Sequence, residues 1–168
     1  MPLIHLPVQS GSDKILRNMN RKHLVKDYLN IIYKLKKINP SIKFSSDFII
    51  GYPGESEHDF NQTLELLKEV KFINCYSFVY SERPGTPAAK LKKIPDNITK
   101  ERLKYFQKEA DKIKLSYRKN LFNKKLNVLF ENRIGKKDKF FGRDEYSNSI
   151  IVTSKENIKG KIEKVEII

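Results

Sequence analysis

Three short segments rich in glycine, proline and hydroxyl side chains each follow an apolar run of strand length. They are Gln9-Ser10-Gly11-Ser12-Asp13, Gly51-Tyr52-Pro53-Gly54-Glu55 and Arg83-Pro84-Gly85-Thr86. In parallel α/β folds ligands bind at the carboxyl ends of the strands, so we expect all three segments on one rim. Glycine lets the backbone approach a ligand closely, and a following helix N-terminus favours an anion or a carboxylate. The pattern predicts a binding site for a nucleotide or a similar cofactor.

The side chains of these segments each have a binding and a structural interpretation. Gln9 and Ser10 can hydrogen-bond a sugar, but Ser10 or Ser12 can equally cap the next helix. The glycines of segment 51–55 also suit a strand-to-helix turn for conformational reasons alone. Arg83 can bind a phosphate or a carboxylate, or it can simply lie exposed. Both interpretations stay open at this level.

Metal and thiol chemistry have few candidates in this sequence. A single cysteine, Cys75, forms no internal disulfide and cannot by itself hold an iron–sulfur cluster or a structural zinc. His5, His23 and His58 are too scattered for a metal-ligand motif. His5 lies in an apolar run, which favours a buried, satisfied histidine, and Cys75 fits a small core residue. We assign no catalytic residue and no metal ligand.

Hydrophobic periodicity predicts the elements that position the three segments. Apolar runs at 3–8, 42–50 and 73–80 alternate with amphipathic helical stretches, which is typical of a parallel α/β unit. A long helix is expected from about Thr99 to Leu121, and the β-rich runs beyond it predict a small antiparallel barrel or sheet. The resulting domains are an α/β domain at 1–98, a connecting helix at 99–122 and a β domain at 123–168.

Three parallel strands make an unusually small sheet. The strand predicted at 3–8 would leave an apolar edge uncovered, and the helices need a larger sheet or barrel to cover. We therefore expect the N-terminal half of the α/β domain to be missing from this sequence.

Positive charge is concentrated in the second part of the chain. The 168 residues contain 34 Lys and Arg against 20 Asp and Glu, a net charge of +14, and residues 99–168 hold 19 of the basic ones. Such a surface attracts a polyanion such as RNA, whereas the plain alternative is that lysine keeps the protein soluble. Aromatic residues beside basic ones can also stack on bases. The RNA-binding candidates are Lys136, Lys137, Lys139 and Arg143, next to Phe140 and Phe141.

Membrane insertion and secretion are not indicated by the sequence. No apolar run approaches the roughly 20 residues of a membrane-spanning helix. The N-terminal residues lack the pattern of a secretory signal. We expect a cytoplasmic protein with no membrane partner.

Taken together, three motifs resemble the radical S-adenosylmethionine (SAM) methylthiotransferases. The motifs are His5-Leu6-Pro7-Val8-Gln9-Ser10-Gly11-Ser12, Asp47-Phe48-Ile49-Ile50-Gly51-Tyr52-Pro53-Gly54-Glu55 and Tyr80-Ser81-Glu82-Arg83-Pro84-Gly85-Thr86-Pro87-Ala88-Ala89. Their order and spacing favour the MiaB-type branch, which methylthiolates N6-dimethylallyladenosine in tRNA. The region 123–168 resembles the RNA-binding TRAM domain of those enzymes.

The resemblance implies a fold, a cofactor and a partner. The fold is the C-terminal half of a partial (β/α)6 radical SAM barrel followed by a small OB-like antiparallel β-barrel. SAM contacts would fall to Gln9, Ser10 and the segment Gly51 to Glu55. Arg83, Gly85 and Thr86 would face the substrate nucleoside, and tRNA would be the macromolecular partner.

The sequence departs from this family in its cysteines. The Cys-x-x-x-Cys-x-x-Cys motif that binds the [4Fe–4S] cluster has no counterpart here, and neither do the cysteines of a second cluster. The resulting hypothesis is part of a tRNA methylthiotransferase that is inactive alone and needs a separate N-terminal half to complete the barrel. The alternatives are a non-catalytic RNA-binding module and an expressed gene relic.

Overall fold

The structure, a computed structural model, describes residues 2–135 and 138–168. The chain forms two compact units, one of residues Ile4–Ser116 and one that includes Tyr117–Ile168. No helix in the described ranges is long and apolar enough to cross a membrane.

A three-stranded sheet forms the centre of the α/β part. Its strands are β1 (Leu3–His5), β2 (Lys43–Ile50) and β3 (Asn74–Val79), in the order β1-β2-β3. Strands β2 and β3 are parallel, in register from Ser45 opposite Asn74 to Ile50 opposite Val79. The predicted alternation of strands and helices is therefore confirmed.

The first strand is shorter than the apolar run that predicted it. Pro7 has no backbone N–H, so the ladder of hydrogen bonds stops there. Val8 instead donates its N–H to the side-chain oxygen of Ser46 at 3.0 Å. Pairing resumes at a single parallel bridge between Gln9 and Phe48. The chain thus follows β2 up to the rim even though β1 ends at His5.

In the described ranges, α-helices connect and cover the strands. They are α1 (Asp13–Asn18), α2 (Val25–Ile38), α3 (Glu57–Val70) and α4 (Asp96–Lys119), with a short 3-10 helix at Pro87–Lys90. Ser12 caps α1, and Ser56 with Asp59 forms a capping box at the start of α3. Ser12 lies within the first rim segment and Ser56 directly follows the second, so the two caps mark where these segments pass into helices.

The helices pack on one face of the sheet. Phe44, Phe48 and Ile50 of β2 point into this core, where they join apolar side chains of α2, α3 and α4 such as Ile32 and Phe106. The other face carries large exposed side chains, with Tyr76 56% and Phe78 57% accessible. One face of this sheet is therefore core and the other is open.

The second unit contains a four-stranded antiparallel sheet. Its strands are β4 (Lys125–Ile134), β5 (Lys139–Asp144), β6 (Ser149–Thr153) and β7 (Ile162–Glu166), in the order β6-β5-β4-β7. A small core of Val128, Phe130, Phe140 and Ile158 covers one face. The small antiparallel β domain expected from the sequence is confirmed.

Candidate functional site

The first rim segment is held mainly by its own hydroxyl groups. Ser10 is 1% accessible, lies 3.3 Å from the hydroxyl of Thr63 and accepts a hydrogen bond from the N–H of Ser12 at 3.1 Å. Gln9 has a positive φ of 75°, and its backbone pairs with Asp47 and Ile49 of β2. The hydroxyl of Ser10 is thus used within the protein, whereas Gln9 borders the open side of the rim.

The second rim segment is a turn closed by a buried carboxylate. Glu55 accepts the backbone N–H of Gly51 at 3.1 Å through Oε2. Its Oε1 accepts a hydrogen bond from Nη1 of Arg102 at 2.9 Å, and the same nitrogen lies 3.1 Å from the Glu55 carbonyl oxygen. Burial raises the pKa of Glu55, while Gly51 and Arg102 act in the opposite direction. Glu55 therefore braces the turn from inside.

A buried aspartate joins the two segments. Asp59 accepts hydrogen bonds from the hydroxyls of Ser12 at 2.7 Å and Ser56 at 2.6 Å. Lys14 donates both to Asp59 and to the carbonyl oxygen of Gly54, each at 2.9 Å. Burial alone would raise the pKa of Asp59, but these donors hold it well below its usual range. The caps of α1 and α3 therefore share one carboxylate.

The third rim segment is an exposed turn. Thr86 donates its hydroxyl to the carbonyl oxygen of Arg83 at 2.8 Å, and Gly85 between them has a φ of 81°. Immediately before this turn lies Tyr80, whose ring centroid is 5.1 Å from that of Tyr52. The buried hydroxyl of Tyr80 has no hydrogen-bond partner within the described residues.

A cavity of about 870 Å³ opens at the carboxyl ends of β2 and β3. Four of the predicted site residues converge on its wall: Gln9, Tyr52, Arg83 and Thr86. The other predicted rim residues are not in its lining: Ser10, Gly51, Pro53, Gly54, Glu55 and Gly85. The wall combines apolar and aromatic groups with a few polar ones, which is the usual make-up of a small-molecule site.

Sequence reasoning did not single out several residues of this wall. Asn18 and Arg21 come from the end of α1 and the turn after it, which carried no motif, and Tyr80 belongs to the third motif without a predicted role. Asp47 could have been found from strand periodicity, because it lies on the same face of β2 as Ile49.

The prediction that His5 is buried was wrong. Its side chain is 44% accessible and lies on the open face of the sheet, because β1 directs Ile4 rather than His5 into the core. His5 contacts Ser45 at 2.9 Å through Nδ1 and Asp47 at 3.4 Å through Nε2. Its ring meets that of Tyr76 edge-on at 5.9 Å. His5 is therefore satisfied by neighbours without being enclosed.

The described residues do not fit an iron–sulfur cluster. They contain no group of three or more His, Cys, Asp or Glu side chains that could hold a metal ion. The one cysteine of the sequence, Cys75, packs against the core of the α/β part. The cavity, in contrast, has the size and the mixed wall that a nucleoside-containing cofactor needs.

The candidate RNA-binding residues divide into two groups. Lys139 and Arg143 are exposed on β5, on the same face as Phe141, while Phe140 points into the core. The guanidinium of Arg143 lies 5.3 Å from the Phe141 ring centroid and 3.1 Å from both carboxylate oxygens of Glu131. Lys136 and Lys137 lie outside the described residues.

Comparison with known proteins shows which proteins this chain is similar to. The radical SAM superfamily model matches residues 1–67. The tRNA-2-methylthio-N(6)-dimethylallyladenosine synthase of Pelagibacter ubique (strain HTCC1062) is 54% identical over 169 residues, covering 100% of this chain and 38% of its own length. The protein of the same name from Wolbachia sp. subsp. Brugia malayi (strain TRS) is 45% identical, covering 100% and 39%. The one from Ehrlichia chaffeensis (strain ATCC CRL-10679 / Arkansas) is 46% identical, covering 92% and 35%.

A solved structure supports the same fold. Coproporphyrinogen III oxidase (HemN) from Escherichia coli, a radical SAM enzyme, matches 86% of this chain and 41% of its own with a TM-score of 0.53 and 14% identity. At that identity the likeness concerns the fold alone. SAM and iron–sulfur clusters are the cofactors that this family implies. The chain spans less than two fifths of the length of these three curated relatives, and nearly all of it is similar to one part of each of them.

Proposed function

We propose that this chain supplies SAM-binding and tRNA-binding surfaces for the methylthiolation of N6-dimethylallyladenosine in tRNA. The observation that carries the proposal is the convergence of Gln9, Tyr52, Arg83 and Thr86 on one cavity, in a chain 54% identical to a synthase of that name. The proposal includes a cytoplasmic location, where tRNA is modified.

The rim residues bind and orient the cofactor in this proposal. Of the segment Gly51 to Glu55, Tyr52 supports the adenosine and methionine parts from the cavity wall, and Gln9 lies at the ribose side. Tyr52 and Tyr80 supply aromatic surface in the cavity wall. When bound, SAM supplies the radical chemistry of the family. Arg83, Gly85 and Thr86 then face the substrate nucleoside from the exposed turn.

The iron–sulfur cluster has to come from residues that this chain does not contain. One cysteine cannot supply the three or four thiolates of a [4Fe–4S] site. The cluster thiolates must therefore come from residues outside this sequence, and we expect no turnover by these 168 residues alone.

Co-expression tests this proposal. The chain is produced with the part of the Pelagibacter ubique relative that it does not match, the clusters are reconstituted, and methylthiolated nucleosides from tRNA are measured by mass spectrometry. We expect product from the pair and none from either part. Gln9→Ala and Arg83→Ala should each lower turnover at least about tenfold, as expected for loss of a polar contact to a charged ligand.

Lys26→Gln in α2 is the matched control, because Lys26 is exposed and does not line the cavity. Methylthiolation by these 168 residues alone would contradict the need for cluster cysteines from outside this sequence. Full turnover by both cavity variants would contradict the site.

A non-catalytic RNA-binding protein is a second candidate, favoured by Lys139, Phe141 and Arg143 on one face of β5. It predicts tRNA binding by the chain without product from the pair. SAM-dependent product from the pair would exclude it.

A further inference from the structure

We propose that α4 acts as a brace for the ligand-binding turn, with Arg102 and Thr99 as positioning residues for the adenosine-containing cofactor. This inference rests on the proposed function only for the identity of the ligand. Neither residue lines the cavity, so both act through the turn 51–55.

The guanidinium of Arg102 contacts both α3 and the turn 51–55. Its side chain is 15% accessible, and its guanidinium carbon lies 5.5 Å from the ring centroid of Phe60 in α3. Nη1 reaches both the carboxylate and the carbonyl oxygen of Glu55, at 2.9 and 3.1 Å. An ion pair that is this enclosed and doubly hydrogen-bonded has a defined geometry, unlike a solvent-exposed pair. Arg102 therefore fixes the end of the turn to α3 and α4.

The carboxylate of Glu55 connects Arg102 to Gly51, because it accepts a hydrogen bond from each of them. Its side chain is 2% accessible, and both of its oxygens have protein donors, Arg102 on Oε1 and Gly51 on Oε2. Glu55 thus has no free oxygen facing the cavity. It works as a link that holds the N–H of Gly51 inside the turn.

Thr99 packs directly against Gly51. It lies one helical turn before Arg102 and is 4% accessible. A Cβ atom at Gly51 would collide with the Thr99 side chain, so α4 packs directly against a backbone with a φ of 75°. Gly51 is thereby enclosed by Thr99 and by the Glu55 carboxylate.

The constraint reaches the cavity through Tyr52, the next residue. Tyr52 lines the cavity, and its hydroxyl donates to the carbonyl oxygen of Asn18 at 2.8 Å. Its backbone follows directly from the braced glycine. Substitution of Arg102 should consequently shift Tyr52 in the cavity wall, although Arg102 itself does not line the cavity.

Amide hydrogen exchange and ligand titration by NMR test this inference on the full chain. Arg102→Met removes the guanidinium, with its hydrogen bonds to Glu55 and its contact with the Phe60 ring, but keeps an unbranched apolar side chain of similar length. We expect exchange of the Gly51 amide to rise at least about tenfold, with the amides of α2 unchanged, because a hydrogen bond to a charged group is worth about that factor. The affinity for S-adenosylhomocysteine, the probe ligand, should fall by a similar factor.

Two further variants keep the test decisive. Lys104→Met, on the exposed side of α4, should change neither readout. Arg102→Lys keeps the charge with a single nitrogen head and should be intermediate in both, so it replaces Arg102→Met if that variant does not fold.

The possible results test the positioning role of Arg102 and the identity of the ligand independently. Faster Gly51 exchange together with weaker binding supports the brace. Unchanged exchange and affinity in Arg102→Met overturn it while leaving the ligand site intact. If S-adenosylhomocysteine shifts no rim amide even in the unmodified chain, the ligand assignment fails, and the exchange rates alone decide whether the brace exists.

Discussion

Burial of Cys75 lowers the reactivity that we expect of its thiol. It packs against the core of the α/β part, and burial raises the pKa of its thiol to about 12. The thiolate is the reactive form, so almost none is present near neutral pH. We expect the folded protein to react slowly with a thiol reagent such as dithionitrobenzoate at pH 8, and the denatured protein to react at once. A fast reaction in the native state would contradict a core role.

Asp59 is the residue on which acid stability should depend most visibly. The hydrogen bonds from Ser56, Ser12 and Lys14 hold the pKa of Asp59 below the value of about 3.9 that it has in an unfolded chain. A depressed pKa contributes stability that is fully present above about pH 4 and is lost as the pH falls towards the folded value. Asp59→Asn should therefore lower the free energy of unfolding by about 2 kcal/mol at pH 7, as expected for lost charge-assisted hydrogen bonds.

Denaturant unfolding at pH 7 and at pH 3 measures this effect. The difference between the variant and the unmodified chain should shrink at pH 3, where the lost charge matters less. Glu101→Gln serves as the control, because Glu101 is exposed on α4. An equal difference at both pH values would show that packing, not charge, explains the loss.

Within the turn 51–55, substitutions at two glycines distinguish the cost of an unfavourable backbone conformation from the cost of a steric clash with α4. Gly51 and Gly54 have φ values of 75° and 83°, which cost a residue with a side chain about 1 kcal/mol or more. A Cβ at Gly54 meets nothing within 4 Å, whereas one at Gly51 collides with Thr99. Gly54→Ala should thus show the conformational cost alone, and Gly51→Ala should be clearly more destabilising. Thermal unfolding of both variants compares them directly, and equal losses would contradict the packing of α4 on the turn.

Local sequence patterns predicted most of the α/β elements because their signals lie within a few residues. The alternation of strands and helices and the cap that Ser12 forms on α1 are of this kind. The end of β1 at His5 was missed, although Pro7 carries the physical reason for it.

The site was harder to predict because it depends on distant residues. Arg102 is separated from Glu55 by 47 positions, and no spacing rule connects a helix surface to a turn so far away. Ser10 and Glu55 were expected at a ligand, but their polar atoms bind the protein itself. Strand periodicity is enough to predict which face of β2 carries Asp47. The convergence of Arg83 and Gln9 on one cavity follows only from the three-dimensional fold.

In the molecule as a whole, the candidate small-molecule cavity and the candidate RNA-binding face lie in different parts of the chain. The cavity and its braced turn belong entirely to residues 4–116, and the β5 face with Lys139 and Arg143 belongs to residues 117–168. Residues 99–168 also hold 19 of the 34 basic side chains. This separation predicts that tRNA binding can be weakened without affecting the cavity.

Salt dependence of tRNA binding tests the β5 face. Each phosphate contact contributes about 0.7 to 0.9 to the slope of log affinity against log salt concentration. The double substitution of Lys139 and Arg143 by glutamine should therefore reduce that slope by about one to two. A slope reduction near one is expected if the Glu131 carboxylate already neutralises part of the Arg143 charge. Lys26→Gln with Lys34→Gln, two exposed lysines of α2, is the charge-matched control. An equal loss of slope in both double variants would mean that tRNA senses only the net charge of the chain and not the face of β5.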